Sequence, residues 1–167
     1  MLPAGKPLKT GLDVAATDFN TLLLELRTRE FNGYVSITVK GTGGIEEGTL
    51  LMEKGKVIGC SYEYLRHGKT ISGQKAYERV LNATAAKEGV IDVFELEIQQ
   101  IDLTLAFNEN LVYVPNTGDL KHAKIEDFSP LFEQEAISGD NMEKNLAKKY
   151  KLAGLNTIKE DKPQGLS

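Results

Sequence analysis

Apolar and polar residues follow two different periods along the first hundred positions, and the points where the period changes outline the elements. Over residues 17–30, Phe19, Leu22, Leu23 and Leu26 recur at helical spacing while Glu25, Arg27 and Arg29 fall largely elsewhere. The spacing predicts an amphipathic helix, capped by Thr17 or Asp18 through a side-chain oxygen that takes an orphan N–H. From Tyr34 to Lys40 the period drops to two, with Val35, Ile37 and Val39 on one face and Tyr34, Ser36, Thr38 and Lys40 on the other. That alternation predicts a strand buried on one side, as antiparallel sheets provide. The turns Gly41-Thr-Gly-Gly and Lys54-Gly55 then bring in strands over residues 48–53 and 56–64, giving a three-strand meander.

Helical spacing returns over residues 72–86 through Ala76, Tyr77, Val80 and Leu81, with Gly89 standing where a left-handed helix terminus is expected. Residues 90–98 read as a further strand, with Phe94, Leu96 and Ile98 on one face and Glu95 and Glu97 on the other. The apolar run 101–107 fits helix or strand by period alone, and a short helix is the expectation. Beyond Val114 a polar stretch opens at Pro115, acidic over 119–140 and basic over 141–162. The fold expected is α+β: a small antiparallel sheet, a meander plus one more strand, with helices packed on one face. It occupies residues 1–114, and 115–167 form a polar, largely disordered tail with a short amphipathic helix near 142–155.

Composition narrows the work such a chain can do. Twenty-four acids against 20 bases give a formal charge of −4, no global field for a phosphate backbone, so nucleic acid is not an expected partner. One cysteine, Cys60, and two histidines, His67 and His122, make a poor zinc set and allow no intrachain disulfide. No metal or cofactor is expected. The first ten residues hold no apolar run of signal-peptide length, and no stretch reaches the roughly 20 apolar residues of a membrane span. A cytoplasmic protein without membrane insertion is the expectation.

Two short motifs and two single residues invite a chemical reading. Gly68-Lys69-Thr70 follows a strand and precedes a helix, as in the phosphate loop of nucleotide hydrolases, but the first glycine of that loop is replaced by Glu63, whose carboxylate repels phosphate. Ser72 and Lys75 have the spacing of penicillin-binding enzymes, whose other motifs are missing, and a helix-capping serine explains Ser72. Cys60 alternates with Ile58, Tyr62 and Tyr64 and reads as a core filler. Asp92, near a strand start, reads as a turn-capping carboxylate. No catalytic set assembles, and the chain is not expected to be an enzyme.

The order of helix, Phe-Asn-Gly-Tyr-Val-Ser-Ile strand, Glu-Gly-Thr-Leu-Leu-Met-Glu-Lys-Gly-Lys-Val-Ile-Gly hairpin, Gly-Gln-Lys-Ala-Tyr helix and Glu-Gly-Val-Ile-Asp-Val-Phe strand, from about Phe19 to Ile98, resembles the PATAN-type domains of bacteria and related uncharacterised archaeal proteins. Gly33, Gly55, Gly73 with Ala76, and Gly89 match the glycines and alanine of that pattern. The chain departs from it in the longer turn around 41–47 and in its tail. The resemblance implies a non-catalytic module that docks onto proteins in signal transduction or motility.

The leading expectation is thus an adaptor that binds a protein partner through the solvent face of its sheet, through the loop 66–70 or through the tail. Tyr34, Lys40, Arg66, His67 and Lys69 are the candidate contacts on the domain, and Leu146, Tyr150 and Leu152 those on the tail. The rival is a sensor of a small anionic ligand or nucleotide, held by Arg66, His67 and Lys69 at the start of the second helix. Exposed edge strands make a homodimer a further expectation.

Overall fold

The computed structural model describes residues 2–116 and 127–139. Its centre is a six-stranded, fully antiparallel open sheet in the order β1-β6-β2-β3-β4-β5. The strands are β1 (Lys6–Asp13), β2 (Gly33–Lys40), β3 (Ile45–Glu53), β4 (Lys56–Tyr64), β5 (Lys69–Ser72) and β6 (Gly89–Glu95). Four helices accompany them: α1 (Phe19–Thr28), α2 (Gln74–Ala83), α3 (Ile98–Phe107) and α4 (131–139). The α+β class and the antiparallel sheet follow the sequence pattern. No helix among the described residues is long and apolar enough to cross a membrane.

The meander is built as its turns dictate. Lys54 and Gly55 both have positive φ, 48° and 73°, the conformation of a two-residue hairpin turn whose twist matches the flanking strands. β2 pairs with β3 from Gly33 opposite Met52 to Lys40 opposite Ile45, which sets Val35, Ile37 and Val39 on one face with Leu50 and Met52. α1 and α2 cover this face, so that Leu22, Leu23, Leu26, Ala76, Tyr77, Val80, Cys60, Ile91 and Val93 complete one core. Gly48 makes close approach of α2 feasible, because a Cβ there would stand 2.7 Å from Val80 Cγ2. α3 and the following turn cover one end of the second face, around Leu51, Leu96, Ile101 and Leu111.

Several details depart from the sequence expectation. The N-terminal residues form β1, an edge strand whose Pro7 and irregular register weaken its alternation. β5 separates the loop at residue 68 from α2, and the helix cap is Gly73, at φ 70° and ψ −143°, rather than Ser72. That backbone conformation belongs to glycine. Gly89 caps no helix; it opens β6, where a Cβ would meet the Thr38 carbonyl at 2.6 Å, while α2 ends at Thr84 in ordinary helical geometry. In β6 the core face is Ile91 and Val93, because they pair with Ile37 and Val35 of β2; Phe94 points to the other face and Ile98 already belongs to α3. Both faces of that strand are covered near its end, so alternation alone could not choose between them.

Candidate functional site

Two features stand out on the helix-covered side, one buried and one open. The buried one begins with Glu46, which alternates with Gly48, Leu50 and Met52 and so points inward, and with Arg79 on the buried side of α2. Arg79 has no exposed surface. Its guanidinium donates to Glu46 Oε2 at 2.5 Å, to Asn82 Oδ1 at 2.7 Å and to the Ser129 carbonyl at 2.8 Å. The Tyr62 hydroxyl donates to the same Glu46 oxygen at 2.7 Å. Four rings surround the cation, the nearest being Phe128 with its centroid at 4.2 Å, together with Tyr62, Tyr64 and Phe132. Burial pushes the Tyr64 phenol up to about 12, although Arg79 pulls the other way, and burial drives Tyr62 up as well. Both phenols stay protonated at neutral pH; the Tyr62 hydroxyl donates to Glu46, whereas the Tyr64 hydroxyl is buried without a hydrogen-bond partner among the described residues.

This cluster is a latch for α4. Asn82 donates to the Asp127 carbonyl at 2.9 Å and accepts from Ser129 N at 2.9 Å. Glu133, itself buried, accepts from Gly43 N at 3.1 Å and meets His67 Nε2 at 3.0 Å. Arg66 donates to the Gly43 carbonyl at 3.2 Å. Residues 127–139, in the stretch set beyond the boundary expected near 114, therefore return to the sheet end formed by the 41–44 turn.

The loop 66–70 is thus a structural junction. Gly68 has φ 56°, Lys69 and Thr70 lie in β5, and the start of α2 is a strand's length away, so Arg66, His67 and Lys69 do not converge on a helix N-terminus. Tyr34 stacks on Phe94 at 5.0 Å on the second face of the sheet. Lys40 pairs with Glu88 at 3.1 Å at the end of β2. Cys60 is buried, and burial raises its thiol pKa, as suits a core position. Asp92 accepts from Gly11 N at 2.7 Å and so holds the bulged part of β1. Leu146, Tyr150, Leu152, the 142–155 helix and His122 lie outside the described residues.

The open feature lies at the opposite end of β3. A groove of about 510 Å³ runs between α1 and the β3–β4 hairpin, floored by Leu23, Met52, Val57 and Tyr77 and bordered by Leu24 and Val114. Leu24 and Val114 are each 63% exposed. Arg27 and Lys56 stand on its rim; among the described residues neither forms an ion pair and no carboxylate lines the groove. The groove exists because Gly55 lets the hairpin turn sit against the last turn of α1, where a Cβ would come 2.6 Å from the Arg27 carbonyl. The segment after α3 closes its far wall: Tyr113 N donates to the Ile58 carbonyl at 3.0 Å, and its ring lies 5.5 Å from that of Tyr77. Sequence reading found Leu23 as core but missed the groove, since Leu24 and Val114 are 90 residues apart.

An open antiparallel sheet with helices on its core face, a buried ionic latch and an apolar groove defines an α+β domain. The chain belongs to the family described as uncharacterized protein conserved in archaea (DUF2226), which matches residues 1–108, the whole sheet together with α1 to α3. No curated protein and no solved structure matches it.

Proposed function

We propose that the protein is a non-catalytic adaptor that docks a partner protein through the groove between α1 and the β3–β4 hairpin. One observation carries the reading: an open apolar groove whose rim, among the described residues, holds the cations Arg27 and Lys56 and no acid. Such a surface suits an amphipathic segment that inserts apolar side chains and places carboxylates over the rim. The chain's own 141–162 region is rich in lysine, so its charge opposes that rim, and a second copy would bring the same cations face to face. A partner with an acidic, apolar-faced helix is therefore the occupant. The resemblance of residues 19–98 to PATAN-type domains supports the same reading, with a role in signalling or motility as part of the proposal. The rival anion sensor finds less support, because Glu133 already faces His67 and the Gly43 carbonyl engages Arg66.

The test is a display selection of acidic amphipathic helical peptides against the full chain, followed by fluorescence polarisation on variants. Leu24→Glu and the pair Arg27→Glu/Lys56→Glu are expected to weaken binding by roughly tenfold or more while the melting curve is kept. Failure to select any such peptide, or binding indifferent to both changes, would remove the groove as the interface.

A further inference from the structure

The second face of the sheet carries a different kind of opening. A recess of about 360 Å³ lies between β2–β5 and the end of α3, lined by Tyr34, Glu47, Thr49 and Glu63 from the strands and by Asn108 and Asn110 beyond the helix. Among the described residues, no lysine, arginine or histidine lines it. Glu47 and Glu63 are direct partners across β3 and β4, an arrangement in which like charges oppose each other and destabilise the pairing. Glu47 accepts one hydrogen bond, from Ser36 Oγ at 3.1 Å, and neither carboxylate has an ion-pair partner among the described residues. Asp92, opposite Ser36 on β6, adds a third negative charge to this face.

Two further observations point to a ligand. Thr49 is only 5% exposed, yet its side chain lines the recess and makes no hydrogen bond among the described residues. The small part of Thr49 that stays accessible includes its hydroxyl, which is open to the recess and to a ligand's N–H. The Tyr34 phenol on the same lining is held above its ordinary value chiefly by burial, against the lowering effect of a hydrogen bond with the Gly5 backbone, and Glu47 and Asp92 add smaller contributions in the raising direction.

We propose that this recess binds a small organic cation bearing a primary ammonium or guanidinium group. An ammonium has three N–H donors and no acceptor, and the Glu47 and Glu63 carboxylates with the Thr49 hydroxyl supply three acceptors. The side-chain carbonyls of Asn108 and Asn110 extend the acceptor set along the recess, so a second amine or a guanidinium plane is also accommodated. The volume is that of a small-molecule pocket. Among the described residues no three carboxylate, histidine or cysteine side chains converge to hold a metal ion. The site lies on the face opposite the adaptor groove and stands independently of it.

Calorimetric titration of the full chain with spermidine, 1,5-diaminopentane and L-arginine amide tests the assignment. Saturable one-to-one binding is expected for at least one probe, with affinity roughly tenfold or more lower in Glu47→Gln/Glu63→Gln and lower in Thr49→Val. The ligand-free double variant is expected to melt no lower than the native chain, because the opposed charges are gone. If it does not fold, Glu63→Gln alone, at an exposed position, carries the comparison. The proposal falls if no probe binds saturably, if the carboxamide variants bind as well as the native chain, or if a lysine-bearing peptide binds where the free amines do not.

Discussion

A guanidinium without exposed surface is costly to dehydrate, and Arg79 is tolerated because Glu46, Asn82, the Ser129 carbonyl and four aromatic rings replace its water. Removing one member of such a pair leaves the other charge buried and unpaired. Arg79→Ala is therefore expected to cost about 3–5 kcal/mol in urea unfolding, whereas Arg79→Met combined with Glu46→Leu is expected to cost less than either single change. An additive double-mutant cycle would refute this coupling. Arg79 was not legible as a site residue, since an arginine beside an apolar helical stripe resembles any solvated flank. A signal was nevertheless present: Arg79 borders the arc of Ala76 and Ala83, and Glu46 continues the inward series Gly48, Leu50, Met52. Two opposite charges on two inward faces are a pairing that periodicity records without identifying, because pairing depends on which strand the helix crosses.

At the scale of elements, α1 shows local chemistry surviving intact into the fold. Asp18 is its N-cap and accepts from Thr21 N at 3.1 Å; hydrogen bonds from Thr21 and then Asn20 hold its carboxyl below the ordinary value of 3.8. A lowered folded-state pKa stabilises above the unfolded value, and that contribution is lost as pH falls through the lowered one. Asp18→Ala is thus expected to melt lower than the native chain at about pH 7, with the gap narrowing toward about pH 3, while Asp18→Asn keeps a capping oxygen and changes little with pH. Thermal melts across that range decide it, and a gap independent of pH would show that the charge contributes nothing. The helix–strand boundaries around residue 72 were less legible. β5 has four residues, too few for a period to register, and its strand character comes from pairing with Ser61 to Tyr64. β1 is similar: Leu8 and Leu12 do not alternate cleanly around Pro7 and Gly11, and only β6 makes it a strand.

For the molecule as a whole, α4 makes the end of the sheet a layered junction, with Phe128 and Phe132 over Arg79 and Glu133 between Gly43 and His67. Phe128→Ala in the full chain is expected to speed amide hydrogen exchange over residues 127–139 while leaving the β2–β3 amides slow, since the latch opens without unfolding the meander. Equal acceleration of both segments would mean that α4 and the sheet unfold as one unit. The sequence by itself determined what depends on neighbours along the chain: the periods of α1, α2 and β2, the Lys54-Gly55 turn, the cap at Asp18 and the α+β class that these compose. Only the tertiary structure decided the insertion of β6 between β1 and β2, the burial of Arg79 against Glu46, the groove joining Leu24 to Val114, and the opposition of Glu47 and Glu63. Each of these joins residues 16 to 90 positions apart, and such contacts follow from strand order and register, which a linear pattern of polarity leaves open.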